Sequence, residues 1–261
     1  MTLRLATLIT GASSGIGAAL APLFAREPER VLVLAARRTG PMEALARDLQ
    51  TRFGTETVVL QADLEQPGAA ARLLADIAAR ELSVDTLVNN AGYGLTGHFS
   101  GMDITRVAAM MQLNMTALIE LTHGVLPAMR ARGRGRIMNV SSIAAFQPCP
   151  NFAAYGASKA FVLSFSEALA LELENDGITV TAVCPGSTAT GFHSVAGSER
   201  SLVARFMDTA ETVAKEAYKT LLAGERVVVT GLVNKPLPLA SRLLPRTLLA
   251  RITSRLMAPP H

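Results

Sequence analysis

Short apolar runs rich in β-branched residues recur along the chain, separated by longer stretches whose apolar positions repeat with a helical period. The runs fall at 5–10, 31–35, 57–62, 86–89, 136–141, 179–184 and 227–230, and helical spacing is plain at 42–53, 69–81, 105–132 and 154–176. Near-continuous apolar runs mark strands buried on both faces, and the helices between them are the crossovers that parallel strands require. The pattern predicts an α/β fold: a single doubly wound domain, with a seven-stranded parallel sheet and helices on both faces. No linker or internal repeat divides it. Residues 1–235 are expected to form the domain, and 236–261 a basic amphipathic C-terminal tail extending it. The stretch 186–208, rich in small and polar residues, is the longest irregular one and is expected to be a mobile substrate lid.

Composition agrees with this picture. A chain of 261 residues with 49% hydrophobic and 18% charged residues suits one large globular domain. Charge changes the picture only at the end of the chain. After Glu225 there is no acidic residue, yet Arg226, Lys235, Arg242, Arg246, Arg251 and Arg255 follow. The other 19 of 25 cations stand against 21 acids, so residues 1–225 carry −2 of a total of +4. The basic character belongs to the tail and gives no reason to expect a nucleic-acid partner. Cys149 and Cys184 have neither metal-ligand nor disulfide-framework spacing, and both read as inert thiols of a reducing compartment. Residues 1–10 run too soon into a glycine turn for a signal peptide, and no apolar run reaches about 18 residues, so the cytoplasm is the expected location.

The first strand ends in Thr10-Gly11-Ala12-Ser13-Ser14-Gly15-Ile16-Gly17, and a helix is expected over 18–26. Glycines at a strand–helix turn let backbone approach a pyrophosphate, and the helix N-terminus offers free N–H groups to it. The second strand then names the cofactor. An acid at its end would bind the ribose 2′-hydroxyl of NAD, whereas here Arg37-Arg38 stand with no acid in that place. Guanidinium groups suit the 2′-phosphate of NADP(H), which is the expected cofactor; the alternative is two solvated arginines at a loop start.

Tyr155 and Lys159 are four apart, about one turn on one helix face. A phenol titrates near ~10, and a neighbouring ammonium is expected to lower that value into a range useful for proton transfer. Such a group suits carbonyl–alcohol interconversion.

With these motifs in place the chain resembles the short-chain dehydrogenase/reductase family over about residues 5–231, and its NADP(H)-preferring branch. The resemblance rests on Thr10–Gly17, Asp63-Leu64, Asn89-Asn90-Ala91-Gly92, Asn114, Ser141-Ser142, Tyr155–Lys159 and Pro185-Gly186, each near a strand end where α/β sheets bind ligands. It implies a Rossmann-like domain. It further implies that Tyr155 protonates the nascent alkoxide and Ser142, thirteen residues before it, hydrogen-bonds the carbonyl oxygen. Lys159 would bind the nicotinamide ribose, and Asn114 would hold a relay water. Cofactor contacts implied in the same way are Gly11, Ser13, Ser14, Gly15, Ile16 and Gly17 at the turn, and Asp63 and Leu64 at the adenine. Asn90 would line the adenosine ribose, and Thr188 and Thr190 would reach the carboxamide and phosphates; Ala91, Gly92, Pro185 and Gly186 are implied as further cofactor contacts. Relatives are often homo-dimers or homo-tetramers built on helices corresponding to 105–132 and 154–176.

Around the reacting carbon we expect Tyr93, Leu95, Ala144, Phe146, Pro148, Phe152 and Phe192, with His98 and His193 nearby. This lining is apolar and argues for a lipophilic ketone or aldehyde. In the tail, Leu248, Leu249, Ile252 and Leu256 share one arc of a helix beginning at Pro245, with Arg246, Arg251, Ser254 and Arg255 outside it. Two readings stand equal: a membrane-surface helix, or one packed on the body or a sister subunit. The activity expected is that of an NADPH-dependent carbonyl reductase. The alternative is a non-catalytic NADP(H)-sensing or scaffold protein on the same fold.

Overall fold

The computed structural model describes residues 3–190, 196 and 207–257. Its strands are β1 Arg4–Thr10, β2 Val31–Ala36, β3 Thr57–Gln61, β4 Leu82–Asn89, β5 Gly135–Val140, β6 Ile178–Cys184, the short β7 Thr188–Ala189 and β8 Asp208–Thr209, and β9 Val227–Val229. The helices are α1 Gly15–Phe24, α2 Thr39–Phe53, α3 Ala69–Ala78, α4 Ile104–Met111, α5 Ala117–Arg132, α6 Ala153–Glu172, α7 Ala210–Leu222, α8 Leu237–Leu243 and α9 Arg246–Met257. Seven strands form one parallel sheet in the order β3-β2-β1-β4-β5-β6-β9, and β7 pairs with β8 beside it. This is the expected doubly wound, Rossmann-like sheet.

Alternation along the strands feeds two cores. On one face Val31, Val33 and Ala35 of β2 pack with α3, α5 and α6 through Leu73, Leu121 and Leu169. On the other, Leu32 and Leu34 pack with α1, α2 and α7 through Leu20, Met42 and Ala217. The order reverses between β1 and β4, which are hydrogen-bonded neighbours whose following loops part to opposite sides. Ligands of doubly wound sheets bind at this switch point.

Three elements differ from their sequence expectations. β4 begins at Leu82, not at 86. Ser83 and Asp85 interrupt its apolar run, but both are buried against arginines: Arg132 donates to Ser83 Oγ (2.6 Å), and Arg30 pairs with Asp85 (2.7 Å). The helix expected over 105–132 is broken by a wider π turn at Gln112–Thr116. That turn swings Asn114 inward, where it is buried, a common use of π turns at functional sites. The tail carries a second helix, α8, ahead of the one expected from Pro245.

Beneath the carboxyl edge a buried polar chain crosses the sheet. Asn89 Nδ2 donates to Thr122 Oγ1 (3.0 Å) of α5 and to Asn139 Oδ1 (2.9 Å), and Asn139 Nδ2 donates to Ser166 Oγ (2.9 Å) of α6. All four residues are buried, so each lost partner leaves a polar group stranded. Asn139→Ala should therefore lower unfolding stability by about 2–3 kcal/mol in urea denaturation. A loss well under about 1 kcal/mol would show that the chain does not hold α5 and α6 in place.

Candidate active site

The glycine-rich turn is locked to the loop after β4. Thr10 Oγ1 donates to Val88 O (3.1 Å) and accepts from the backbone N–H of Asn90 (3.0 Å) and Ala91 (3.1 Å). Asn90 Nδ2 returns the contact, donating to Thr10 O (2.9 Å) and Gly11 O (3.3 Å). Gly11 lies at φ +66, and a Cβ there would sit 2.8 Å from Asn90 Nδ2 and 2.9 Å from Ala91 Cα, so only glycine fits. Asn90 is thus a brace of the turn. Gly15, Ile16 and Gly17 open α1, whose N-cap Ser14 has no side-chain capping bond, which leaves the first-turn N–H groups for a ligand.

The two arginines after β2 part company. Arg37 pairs with Glu65 (2.6 Å). Arg38 reaches back over the turn, its Nη2 lying 3.4 Å from Ser13 Oγ and 3.3 Å from Ser14 Oγ. Asp63, at the end of β3, accepts from Glu65 N (3.3 Å) and Gln66 Nε2 (3.2 Å), and Leu64 buries its side chain in the core. Beyond β6, Pro185 O accepts from Ile143 N (2.9 Å), tying this loop to Ser142. The Thr188 hydroxyl donates to Gly186 O (3.1 Å), while the Thr190 side chain lies against Gly15. Thr190 is therefore the one of the pair next to the glycine turn.

At the reacting end, α6 places Tyr155 and Lys159 on one buried face. Lys159 Nζ donates to Val140 O (2.8 Å) at the end of β5, and its backbone O accepts from Ser141 Oγ (2.7 Å). Ser141 is therefore committed to structure, which leaves Ser142 facing Tyr155. Ser142 Oγ accepts from Ala144 N (3.1 Å) and is hydrogen-bonded to the Tyr155 side chain. Asn114 uses both amide protons, on Tyr93 O (3.0 Å) and Ser158 Oγ (3.1 Å), and its Oδ1 accepts from Tyr93 N (3.2 Å). It braces the β4 loop against α6. Gly92 makes this possible, since a Cβ there would lie 2.9 Å from Asn114 Oδ1 and 3.4 Å from Lys159 Nζ.

Electrostatics correct one expectation. Burial raises the Tyr155 phenol well above its ordinary range, with the Ser142 hydrogen bond opposing, and Lys159 is not what perturbs it. The ammonium instead lies 5.9 Å from the Tyr155 ring centroid, and burial lowers its own pKa to about 8. Tyr155 is a neutral phenol in this state and so a proton donor. Burial also pushes the thiol of Cys149 up to about 11, which makes it an inert neighbour.

The apolar wall partly matches expectation. Leu95, Ala144, Phe152 and Tyr155 form one cluster with Tyr93 and the buried Ala196. Val107, Met110 and Met111 of α4 also belong to it; their i, i+3, i+4 spacing is the sequence signal that would have found them. Phe146 packs with Leu163, Ala182 and Cys184, and His98 is exposed with Nδ1 3.2 Å from Ser100 Oγ. Phe192 and His193 lie outside the described residues. Of the expected lid, β7 and β8 clasp the base, and Ala196 O accepts from Thr96 N (3.0 Å).

A short chain dehydrogenase family model matches residues 6–201. Sulfoacetaldehyde reductase 2 of Chromohalobacter salexigens is 35% identical over 237 residues, which cover 88% of this chain and 93% of that protein. A short-chain dehydrogenase from Sphingobium yanoikuyae, solved in complex with NADPH, superposes with a TM-score of 0.80 at 36% identity, covering 88% of this chain and 89% of that one. The bulky-bulky ketone specific alcohol dehydrogenase from Comamonas testosteroni superposes with a TM-score of 0.75 at 33% identity, covering 88% and 86%.

Lys159 gives the site a signature in stability. Its pKa is about 8 when folded against an ordinary 10.5. Between those values the unfolded chain binds more protons, so this group makes stability rise with pH; below about 8 the folded state bears the full cost of a buried charge. Lys159→Met should thus unfold at higher denaturant concentration than the parent at pH 7, by an amount that shrinks towards pH 10. Urea midpoints at the two pH values check this, and a lower midpoint for K159M at pH 7 would mean that the lost bond to Val140 outweighs desolvation.

Proposed function

This chain belongs to the short chain dehydrogenase family, and we propose that within it the protein is an NADP(H)-dependent oxidoreductase interconverting an apolar ketone or aldehyde and its alcohol. The observation that carries this reading is the grouping of Ser142, Tyr155 and Lys159 at the carboxyl edge of the sheet, beside the glycine-rich turn. The intact set also disfavours a sensing or scaffold role, which needs none of the three.

The turn fits a dinucleotide: α1 opens on first-turn N–H groups that no side chain caps, and Arg38 with Ser13 and Ser14 gathers one cation and two hydroxyls at its mouth. These residues would hold the pyrophosphate end and the 2′-phosphate, with Thr190 nearby. Bound there, NADPH supplies the hydride. The protein's own part is to stabilise and protonate the oxygen. Ser142 donates a hydrogen bond to the carbonyl oxygen, where negative charge develops, and the neutral Tyr155 phenol delivers its proton to the same atom. Lys159, held by Val140 O, provides positive charge one helical turn away. Asn114 acts as a positioning residue, through Tyr93 and Ser158. In the oxidative direction the same groups run in reverse.

The apolar cluster of Leu95, Ala144, Cys149 and Phe152 packed around Tyr155 supports an apolar substrate. Exposed Ile119 of α5 and Leu171 of α6 suit a homo-dimer or homo-tetramer built on these two helices.

Tyr155→Phe should lower kcat by roughly 10²–10⁴-fold while leaving NADPH affinity unchanged. The check is NADPH oxidation with a panel of bulky ketones and aldehydes, beside fluorescence titration of the cofactor, and unaltered turnover would refute the mechanism. Arg38→Ala should weaken NADPH binding by about 10–100-fold with little change for NADH. Arg37→Ala should do less, because Arg37 already spends its charge on Glu65. Equal losses for both cofactors in R38A would remove the 2′-phosphate from this place.

A further inference from the structure

One short pattern closes the chain three times: an apolar residue, two others, an arginine and a second apolar residue. It occurs at 239–243 as Leu-Ala-Ser-Arg-Leu, at 248–252 as Leu-Leu-Ala-Arg-Ile, and at 252–256 as Ile-Thr-Ser-Arg-Leu. On a helix the positions i, i+3 and i+4 are neighbours, so each copy sets a guanidinium along the edge of an aliphatic stripe. A helix packed on its own body turns that stripe inward and leaves only the arginines in solvent. α8 and α9 do not do this. Leu239, Leu243, Leu248 and Ile252 are 63%, 73%, 44% and 42% exposed, and Arg242, Arg251 and Arg255 are exposed beside them. Leu249 alone is buried in α9 among the described residues.

The mixed face continues towards the body of the protein. Leu232 and Val233, just ahead of α8, are 79% and 87% exposed. Next to them Asn234 donates to Thr230 O (2.9 Å) and lies against Gly186, so the segment departs from the loop that follows β6. From 226 to the C-terminus there is no acid, and among the described residues none of the arginines of α8 and α9 is in an ion pair.

We propose that α8 and α9 form a docking face for an anionic lipid bilayer. The aliphatic side chains enter the acyl boundary while the adjacent guanidinium groups stay at lipid phosphates, the geometry of an interfacial amphipathic helix. Charge selects this occupant over a second copy. An isologous contact through this face would set arginine against arginine, whereas an anionic membrane answers every one of them.

The test uses the full chain and sedimentation with phosphatidylcholine vesicles, with and without phosphatidylglycerol, at low and high salt. The chain should pellet with the phosphatidylglycerol vesicles and be released as salt rises. The triple variant R242E/R251E/R255E should lose partitioning by roughly 100-fold or more, at about fivefold per cation removed. L243S/I252S should also stay in the supernatant, with an unchanged elution volume in size exclusion. Circular dichroism confirms that each variant is folded. A parent chain that never pellets, or a triple variant that pellets as the parent does, overturns the proposal. So does a shift of L243S/I252S to a smaller species, which would make the face an interface between copies. If the variants do not fold, the parent decides the matter alone, since binding indifferent to phosphatidylglycerol and salt also refutes it.

Discussion

The ammonium of Lys159 sits where solvent does not reach it, and the carboxyl edge of the sheet is arranged around that charge. A buried cation is tolerable only when hydrogen-bonded, and Val140 O at the tip of β5 supplies the bond. That acceptor is free because a strand's last carbonyl has no further ladder partner. Ser141 then ties the backbone of α6 to the same strand end, and Gly92 leaves the space that a side chain would take from the ammonium. Moving any of these elements would strand the charge. The position of α6, and with it Tyr155, follows from this one requirement, helped by the polar chain through Asn89 and Asn139 from below.

The same economy appears at the switch point. One threonine hydroxyl, that of Thr10, accepts two backbone N–H groups of the β4 loop and donates to a carbonyl, so the cofactor turn and the loop carrying Gly92 are a single rigid unit. Through Gly92 and Asn114 that unit touches Lys159. The glycine-rich turn, the β4 loop, the π turn and the helix of Tyr155 and Lys159 are thus mutually braced. A site that depends on sub-ångström placement of a hydroxyl gains from such support.

Much of this was legible in the chain. Apolar runs gave the strands because parallel strands are buried on both faces, and the four-residue spacing of Tyr155 and Lys159 placed them on one helix face. What escaped depends on tertiary partners. The π turn at Asn114 has no period of its own and exists because the amide is drawn to Tyr93 and Ser158. Arg37 and Arg38 are indistinguishable in sequence, and Glu65, far along the chain, separates them. The fall in the Lys159 pKa and the rise at Tyr155 both come from desolvation, which pair spacing alone does not report.

The small clasp of β7 with β8 has a meaning beyond its size. It joins Thr188–Ala189 to Asp208–Thr209, so the chain leaves and returns at one fixed base. The entropy of closing a loop grows only logarithmically, about 0.6 kcal/mol for each doubling of length. Insertions and deletions between the clasped ends therefore perturb neither the sheet nor the proton-transfer set by much. Across descendants of such a chain, the length between the clasped ends is free to drift while the sheet stays anchored, and the clasp marks the border between the two rates of change.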